Sequence, residues 1–379
     1  FILFFAVFLT VYGSINFYIF LRGRQALAAY PTLRTIYVVV FVLFALSYLI
    51  GRLLERAWLS PVSDLFVWIG SFWLAMFIYF LLIVVAVDLA RLVNHVLPFF
   101  HLVSPNAEKL TLSVFIGSVG LVLLIVTAGY INACAVRVRP LDLSIAKKSA
   151  VSEIKAVLAS DIHLGTIVGQ KRFCRMVRKI NALQPDLILL AGDVVDEDLA
   201  PVIRENLGEA LRELRAKSGV WAITGNHEFI GGVEAAVSYL QEHGVTVLRD
   251  SSVCVSDSLY IIGREDRSVS QFSGTQRKSL VELMQQVDRS RPLILMDHQP
   301  FGLHEAQEAG IDLQVSGHTH HGQLWPLNYI TKALYENSWG YLRKGDTHIY
   351  VSCGAGTWGP PIRLGNRPEI VEITLRFQP

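Results

Sequence analysis

The sequence predicts a two-part protein: an all-α domain of four transmembrane helices, then an α/β domain of the sandwich-like α+β kind. Charge-free apolar stretches crowd the first third of the chain. Beyond them, short apolar strands alternate with amphipathic helical stretches, and the late strands outnumber what a simple doubly wound sheet needs. The expected boundaries are residues 1–136 for the transmembrane domain, 137–152 for a linker and 153–379 for the α/β domain.

Composition bounds the reading. The 379 residues are 52% hydrophobic and 17% charged, with a mean hydropathy of +0.41. That is too apolar for an ordinary soluble protein and fits a membrane part beside a soluble part. A net charge of +2 leaves no electrostatic footprint for nucleic acid, which is not expected as a partner. The cysteines, Cys134, Cys174, Cys254 and Cys353, form no CxxC pair. Neither a zinc knuckle nor a disulfide framework follows, and free thiols are expected.

The apolar stretches are residues 1–21, 35–51, 65–87 and 110–136. Crossing a hydrocarbon core takes about 20 such residues, so each reads as a spanning helix. Arg22 and Arg24 follow the first stretch where a cleaved signal peptide would show small residues, which favours a retained helix. Arg22, Arg24 and Arg34 flank the first loop and favour a cytoplasmic loop. The expected location is the inner plasma membrane, with the α/β domain on the extracytoplasmic face. Arg137, Arg139, Lys147 and Lys148 after the fourth helix argue the other way.

In the α/β part, strands are expected at residues 154–159, 187–190, 220–223, 246–248, 259–262, 293–296, 311–315, 348–351 and 370–375. Helices are expected at 171–183, 201–216, 232–242 and 276–288. Chemistry-bearing residues stand where strands end: Ser160-Asp161-Ile162-His163, Gly192-Asp193-Val194-Val195-Asp196, Gly225-Asn226-His227-Glu228, Asp297-His298 and Gly317-His318-Thr319-His320. Carboxyl ends of strands converge in the crevice where open α/β sheets bind ligands. Asp, Asn and His without cysteine suit Mn, Fe, Zn or Mg better than a thiolate-seeking ion. The plain alternative is a polar rim held by its own hydrogen bonds.

In this order, these blocks resemble the calcineurin-like metallophosphoesterase family, from about Ile154 to the C-terminus. Gly317-His318-Thr319-His320-His321-Gly322-Gln323, Gly356-Thr357-Trp358-Gly359-Pro360-Pro361-Ile362-Arg363 and Pro368-Glu369-Ile370 look like its bacterial membrane-associated branch. Members of that branch are similar to exported phosphodiesterases and to a UDP-diacylglucosamine pyrophosphatase. His321 departs from the branch, which usually has a glycine there.

The resemblance implies two divalent metal ions. Asp161, His163 and His320 would hold one; Asn226, His298 and His318 the other; Asp193 would bridge them. A hydroxide between the metals would attack phosphorus, and His227 would meet the substrate and protonate the departing oxygen. Asp196 is expected behind the ligands, orienting one of them. Arg363 is a candidate phosphate clamp, with a surface ion pair as its plainer reading. Trp325, Tyr329, Tyr335, Trp339 and Tyr341 read as insertion packing or as an apolar lip at the membrane. The expected function is a membrane-anchored phosphohydrolase acting on a phosphate ester or pyrophosphate, lipid-linked, with membrane lipids as partners. The alternative is a non-enzymatic membrane scaffold on the same fold.

Overall fold

The structure, a computed structural model, describes residues 2–97 and 107–378. The chain divides into a helical unit, built mainly from residues 1–130, and an α/β unit over residues 131–358 and 363–379.

The helices are α1 (Ile2–Ala26), α2 (Pro31–Ala57), α3 (Pro61–Val96) and α4 (Ala107–Cys134). All four are long and apolar enough to cross a membrane. Leu53 and Leu124 keep 69% and 67% of their surface exposed, as lipid-facing side chains do. Helices α2 and α3 approach closely through glycine: a Cβ on Gly70 would lie 2.3 Å from the Cα of Tyr48. Small residues serve this purpose wherever membrane helices pack. Ser60 and Ser63 cap the start of α3 reciprocally, with Pro61 at its first position. Helix α3 runs past the expected end at residue 87 and takes up much of the connection to α4; residues 98–106 lie outside the described part.

The strands are β1 (Arg137–Lys148), β2 (Glu153–Ala159), β3 (Leu187–Ala191), β4 (Val220–Ile223), β5 (Thr246–Val247), β6 (Ser251–Val255), β7 (Leu259–Gly263), β8 (Leu293–Met296), β9 (Leu313–Ser316), β10 (Gly340–Lys344), β11 (Thr347–Val351) and β12 (Glu369–Gln378). They form two six-stranded sheets, in the orders β1-β12-β2-β3-β4-β5 and β10-β11-β9-β8-β7-β6. Strands β2 to β5 run parallel, as do β7, β8, β9 and β11, so their carboxyl ends lie together within each sheet.

Alternation of side chains sorts the core into layers. Leu158, Leu189 and Ile223 of the first sheet meet Ile294, Met296 and Val315 of the second. On its other face, the first sheet packs Val157, Ile188 and Leu190 against Phe173, Met176, Val177 and Ile180 of α5 (Gln170–Ala182). The second sheet packs Leu293 and Leu295 against Leu280, Leu283 and Met284. The result is a sandwich with helices on both outer faces.

Three segments depart from the sequence reading. Residues 137–148, expected as a linker, form strand β1, with Leu143 and Ile145 buried in the inter-sheet core. Pro140 and the flanking lysines read as a chain break, yet proline is tolerated on an edge strand, where β1 lies. The helix expected at 201–216 is two short ones, Ala200–Arg204 and Leu207–Arg212, divided at Asn206, whose φ is 51°. Of the helix expected at 276–288, the α-helical part is Leu280–Leu283. Strands β6 and β10 had no counterpart in the reading.

Candidate metal centre

Every strand-end block of the sequence meets at one place. Two loops, after β2 and β3, lock together through backbone bonds. Asp161 N donates to Gly192 O at 3.1 Å, His163 N to Asp193 O at 3.0 Å, and Leu164 N to Val194 O at 2.9 Å. The loop after β4 joins them. The Glu228 carboxylate accepts from the backbone N–H groups of Asp193, Val195 and Gly225 at 3.1, 2.9 and 2.7 Å. His227 N donates to Asp193 Oδ1 at 2.9 Å. Glu228 stood in a motif without a role; its work is done on backbone atoms, which leave no mark in a residue pattern.

Glycine makes this approach possible. A Cβ on Gly225 would fall 2.2 Å from Asp193 Oδ1, and one on Gly317 2.3 Å from Asp161 Oδ2. Asp161, His163, Asp193, His318 and His320 themselves have φ of 49°, 51°, 50°, 70° and 46°. Left-handed backbone in non-glycine residues costs about 1–3 kcal/mol each and collects at functional sites. His321 shares that conformation, with φ 47°, a backbone that glycine would adopt without strain.

The donor atoms form three overlapping groups, each with its atoms within 4.8 Å of one another: Asp161, His163 and His320; His163, Asp193 and His227; Asp193, His298 and His318. Between them, His163 Nε2 is 3.0 Å from His320 Nε2, which is 3.6 Å from Asp161 Oδ1. Asp193 Oδ2 is 3.1 Å from His298 Nε2 and 3.8 Å from His163 Nε2. Asn226 Oδ1 lies 2.8 Å from His318 Nδ1. All the expected ligands are therefore brought together, with Asp193 common to two groups.

These residues fit divalent cations. Two imidazole nitrogens 3.0 Å apart need a proton or a cation between them. His298 Nδ1 lies 2.7 Å from Ala191 O, a pure acceptor, so that nitrogen carries a proton and Nε2 is the ring atom turned inward. That Nε2 and Asp161 Oδ2 are buried without a hydrogen-bond partner. Burial works against the Asp193 charge, but the imidazoles of His298, His227 and His163 hold its carboxyl well below the usual range. Burial, His163 and Arg363 hold His320 well below the usual imidazole value, in the neutral form that ligation requires.

His227 stands beside this set. Its Nδ1 is 3.0 Å from Asp196 Oδ1, and its ring meets Trp358 edge-on at 5.6 Å. Burial opposes its protonation, yet Asp193 and Asp196 outweigh burial and push the imidazole up to about 9. Asp196 also lies 3.5 Å from His163 Nδ1, so one carboxylate faces both rings. Arg363 sits elsewhere than a clamp would. It is fully buried, donates to Gly356 O at 2.8 and 3.0 Å and to Asn366 Oδ1 at 3.0 Å, and places Nη2 3.2 Å from His320 Nδ1. Asn366 donates to His320 O at 2.6 Å, and Asn132 donates to the carbonyls of Arg363 and Asn366 at 2.9 and 2.7 Å. These asparagines support His320 from behind, and only the folded chain brings them there.

Comparison with known proteins agrees with the geometry. The family model for calcineurin-like phosphoesterases matches residues 154–322. An uncharacterised metallophosphoesterase of Aquifex aeolicus is 32% identical over 243 residues, covering 63% of this chain and 92% of that protein. A bovine "transmembrane protein with metallophosphoesterase domain" is 33% identical over 245 residues, and the match spans 54% of its length. A metallophosphoesterase of Campylobacter jejuni is 24% identical over 386 residues, with 99% of both chains covered. The chain belongs to the calcineurin-like metallophosphoesterase family, and its α/β unit is a metal-dependent phosphoesterase domain.

Proposed function

We propose that this membrane protein hydrolyses a lipid-linked phosphate ester or pyrophosphate at a dinuclear metal centre. Asp161, His163 and His320 hold one divalent cation; Asn226, His298 and His318 hold the other; Asp193 serves both. The observation that carries the dinuclear reading is the Asp193 carboxylate, which reaches His298 on one side and His163 on the other. When bound, the cations supply Lewis acidity toward water and toward the phosphoryl oxygens. Asn226, a neutral amide, keeps the ligand set from becoming too negative for an anionic substrate. His227, held by Asp196, donates its proton to the departing oxygen. Asp196 positions the ring and sustains its charge.

The rim supports a lipid-linked substrate. Trp358 packs on His227 and is 48% exposed. Tyr335 packs on His318 and on Phe301 at ring distances of 6.2 and 4.7 Å. The short helix Asn328–Leu334 ends next to Tyr335, buries none of its residues and exposes Tyr329, Ile330 and Leu334. Acyl chains would find apolar contact on such a rim, whereas a small soluble ester has no use for it.

Elemental analysis and turnover of bis-p-nitrophenyl phosphate test the reading together. The wild-type protein should carry two divalent ions per chain and turn over the ester. Asp193→Ala should lose metal from both positions and at least about 10³-fold in rate. Two ions per chain retained by Asp193→Ala would refute the shared carboxylate.

A further inference from the structure

Helix α5 carries Lys171, Arg172, Arg175, Arg178 and Lys179 among its 13 residues and no acidic side chain. Its apolar face is buried against the first sheet. Arg172 is buried as well, donating to Thr357 Oγ1 and to the carbonyl of Ala133, both at 3.1 Å. Lys171, Arg175, Arg178 and Lys179 remain exposed. Their spacing puts them on one helix face. None of the four enters an ion pair among the described residues. Lys171, Arg175 and Arg178 line a cleft of about 350 Å³ with Gln170 and Cys174. The nearest acidic group in the hydrogen-bond pattern, Glu205, is engaged with Gln170 N and with Arg204. The four cations thus present a solvated, uncompensated surface.

Ala133 lies in the last turn of α4, whose apolar span covers 27 residues. At about 1.5 Å per residue this is about 40 Å, the thickness of a bilayer with its headgroup layers. Arg172 therefore ties α5 to the end of a helix long and apolar enough to cross a membrane. Long basic side chains reach lipid phosphates while their stems stay on protein.

We propose that the exposed basic face of α5 is a docking site for the phosphates of anionic phospholipids in the leaflet from which α4 emerges. The site is independent of the metal centre and of the substrate assigned to it. Each basic residue near an anionic leaflet contributes about fivefold in affinity.

The test uses the full chain in nonionic detergent, titrated with fluorescent phosphatidylglycerol or phosphatidylcholine. The wild-type protein should prefer phosphatidylglycerol. Arg175→Gln should weaken that binding about fivefold, and Arg175→Lys should keep it. Neutralising all four positions to Gln should cost at least about 100-fold, with phosphatidylcholine binding and thermal unfolding unchanged. Because the side chains are exposed, the single variants keep the test open if the fourfold one misfolds. A phosphatidylglycerol preference unaltered in Arg175→Gln would overturn the proposal. Displacement of the lipid by equimolar inorganic phosphate would overturn it too, by showing a site for free anion.

Discussion

His227 shows how much chemistry rests on one neighbour. Its own backbone N–H is tied to Asp193, while its ring turns to Asp196 at 3.0 Å. A proton donor matters in proportion to how poorly the leaving group bears negative charge. Nitrophenolate departs unaided at neutral pH, and an alkoxide does not. His227→Ala should keep its metal, lose about 10²–10⁴-fold on alkyl phosphate esters and lose much less on nitrophenyl esters. Equal losses on both substrates would assign the ring to charge stabilisation. At this scale the sequence was most legible: Asp161, His163, Asp193, Asn226, His298, His318 and His320, picked out at strand ends, are residues that the fold brings together. Arg363 misled for the converse reason. Nothing in its local sequence reveals a guanidinium closed off behind His320, since Asn366 and Gly356 supply that environment through the fold.

At the scale of elements, the boundary between the two units was the least legible part. Strand β1 hides behind basic residues because Leu143 and Ile145, with half-buried Leu141 beside them, are the side chains it turns to the core. Its partner β12 lies more than 200 residues away, beyond any local pattern. Residues 131–134, at the end of α4, belong to the α/β unit, and Asn132 among them supports the loop that carries Arg363 and Asn366. A soluble domain begun at Leu141 therefore lacks both Asn132 and the register from Arg137 to Pro140 against Glu369 to Glu372. It should unfold at lower temperature than a domain begun at Ile131. In the full chain, Asn132→Leu should weaken metal affinity up to about tenfold, as loss of outer support does. Competition with a chelating indicator measures it, and unchanged affinity would leave Asn132 a merely structural residue.

The whole molecule couples an apolar anchor to a polar centre through a connection of two residues, Ala135 and Val136, between α4 and β1. A short tether to a membrane helix raises the effective concentration of anything embedded in the same membrane. Removing residues 1–130 should leave turnover of small soluble esters near wild type in the domain that starts at Ile131. Rates on phosphate esters embedded in vesicles should fall by at least about tenfold. Equal rates of the domain and the full chain on embedded esters would remove the helices from substrate presentation.

Strand β1 also bears on how the protein is made. It leaves the ribosome directly behind α4, yet it pairs with β12, from Arg137 opposite Glu369 to Lys148 opposite Gln378. Between Lys148 and Gln378 lie 378 − 148 = 230 residues of synthesis. At about 5–20 residues per second the interval is roughly 10–50 s. Throughout it the β1 backbone lacks the strand it pairs with. The membrane helices can insert while the nascent chain is still growing, whereas the first sheet closes only with the last strand. A chain halted before Glu369 would leave β1 without its partner strand however well the membrane helices had inserted.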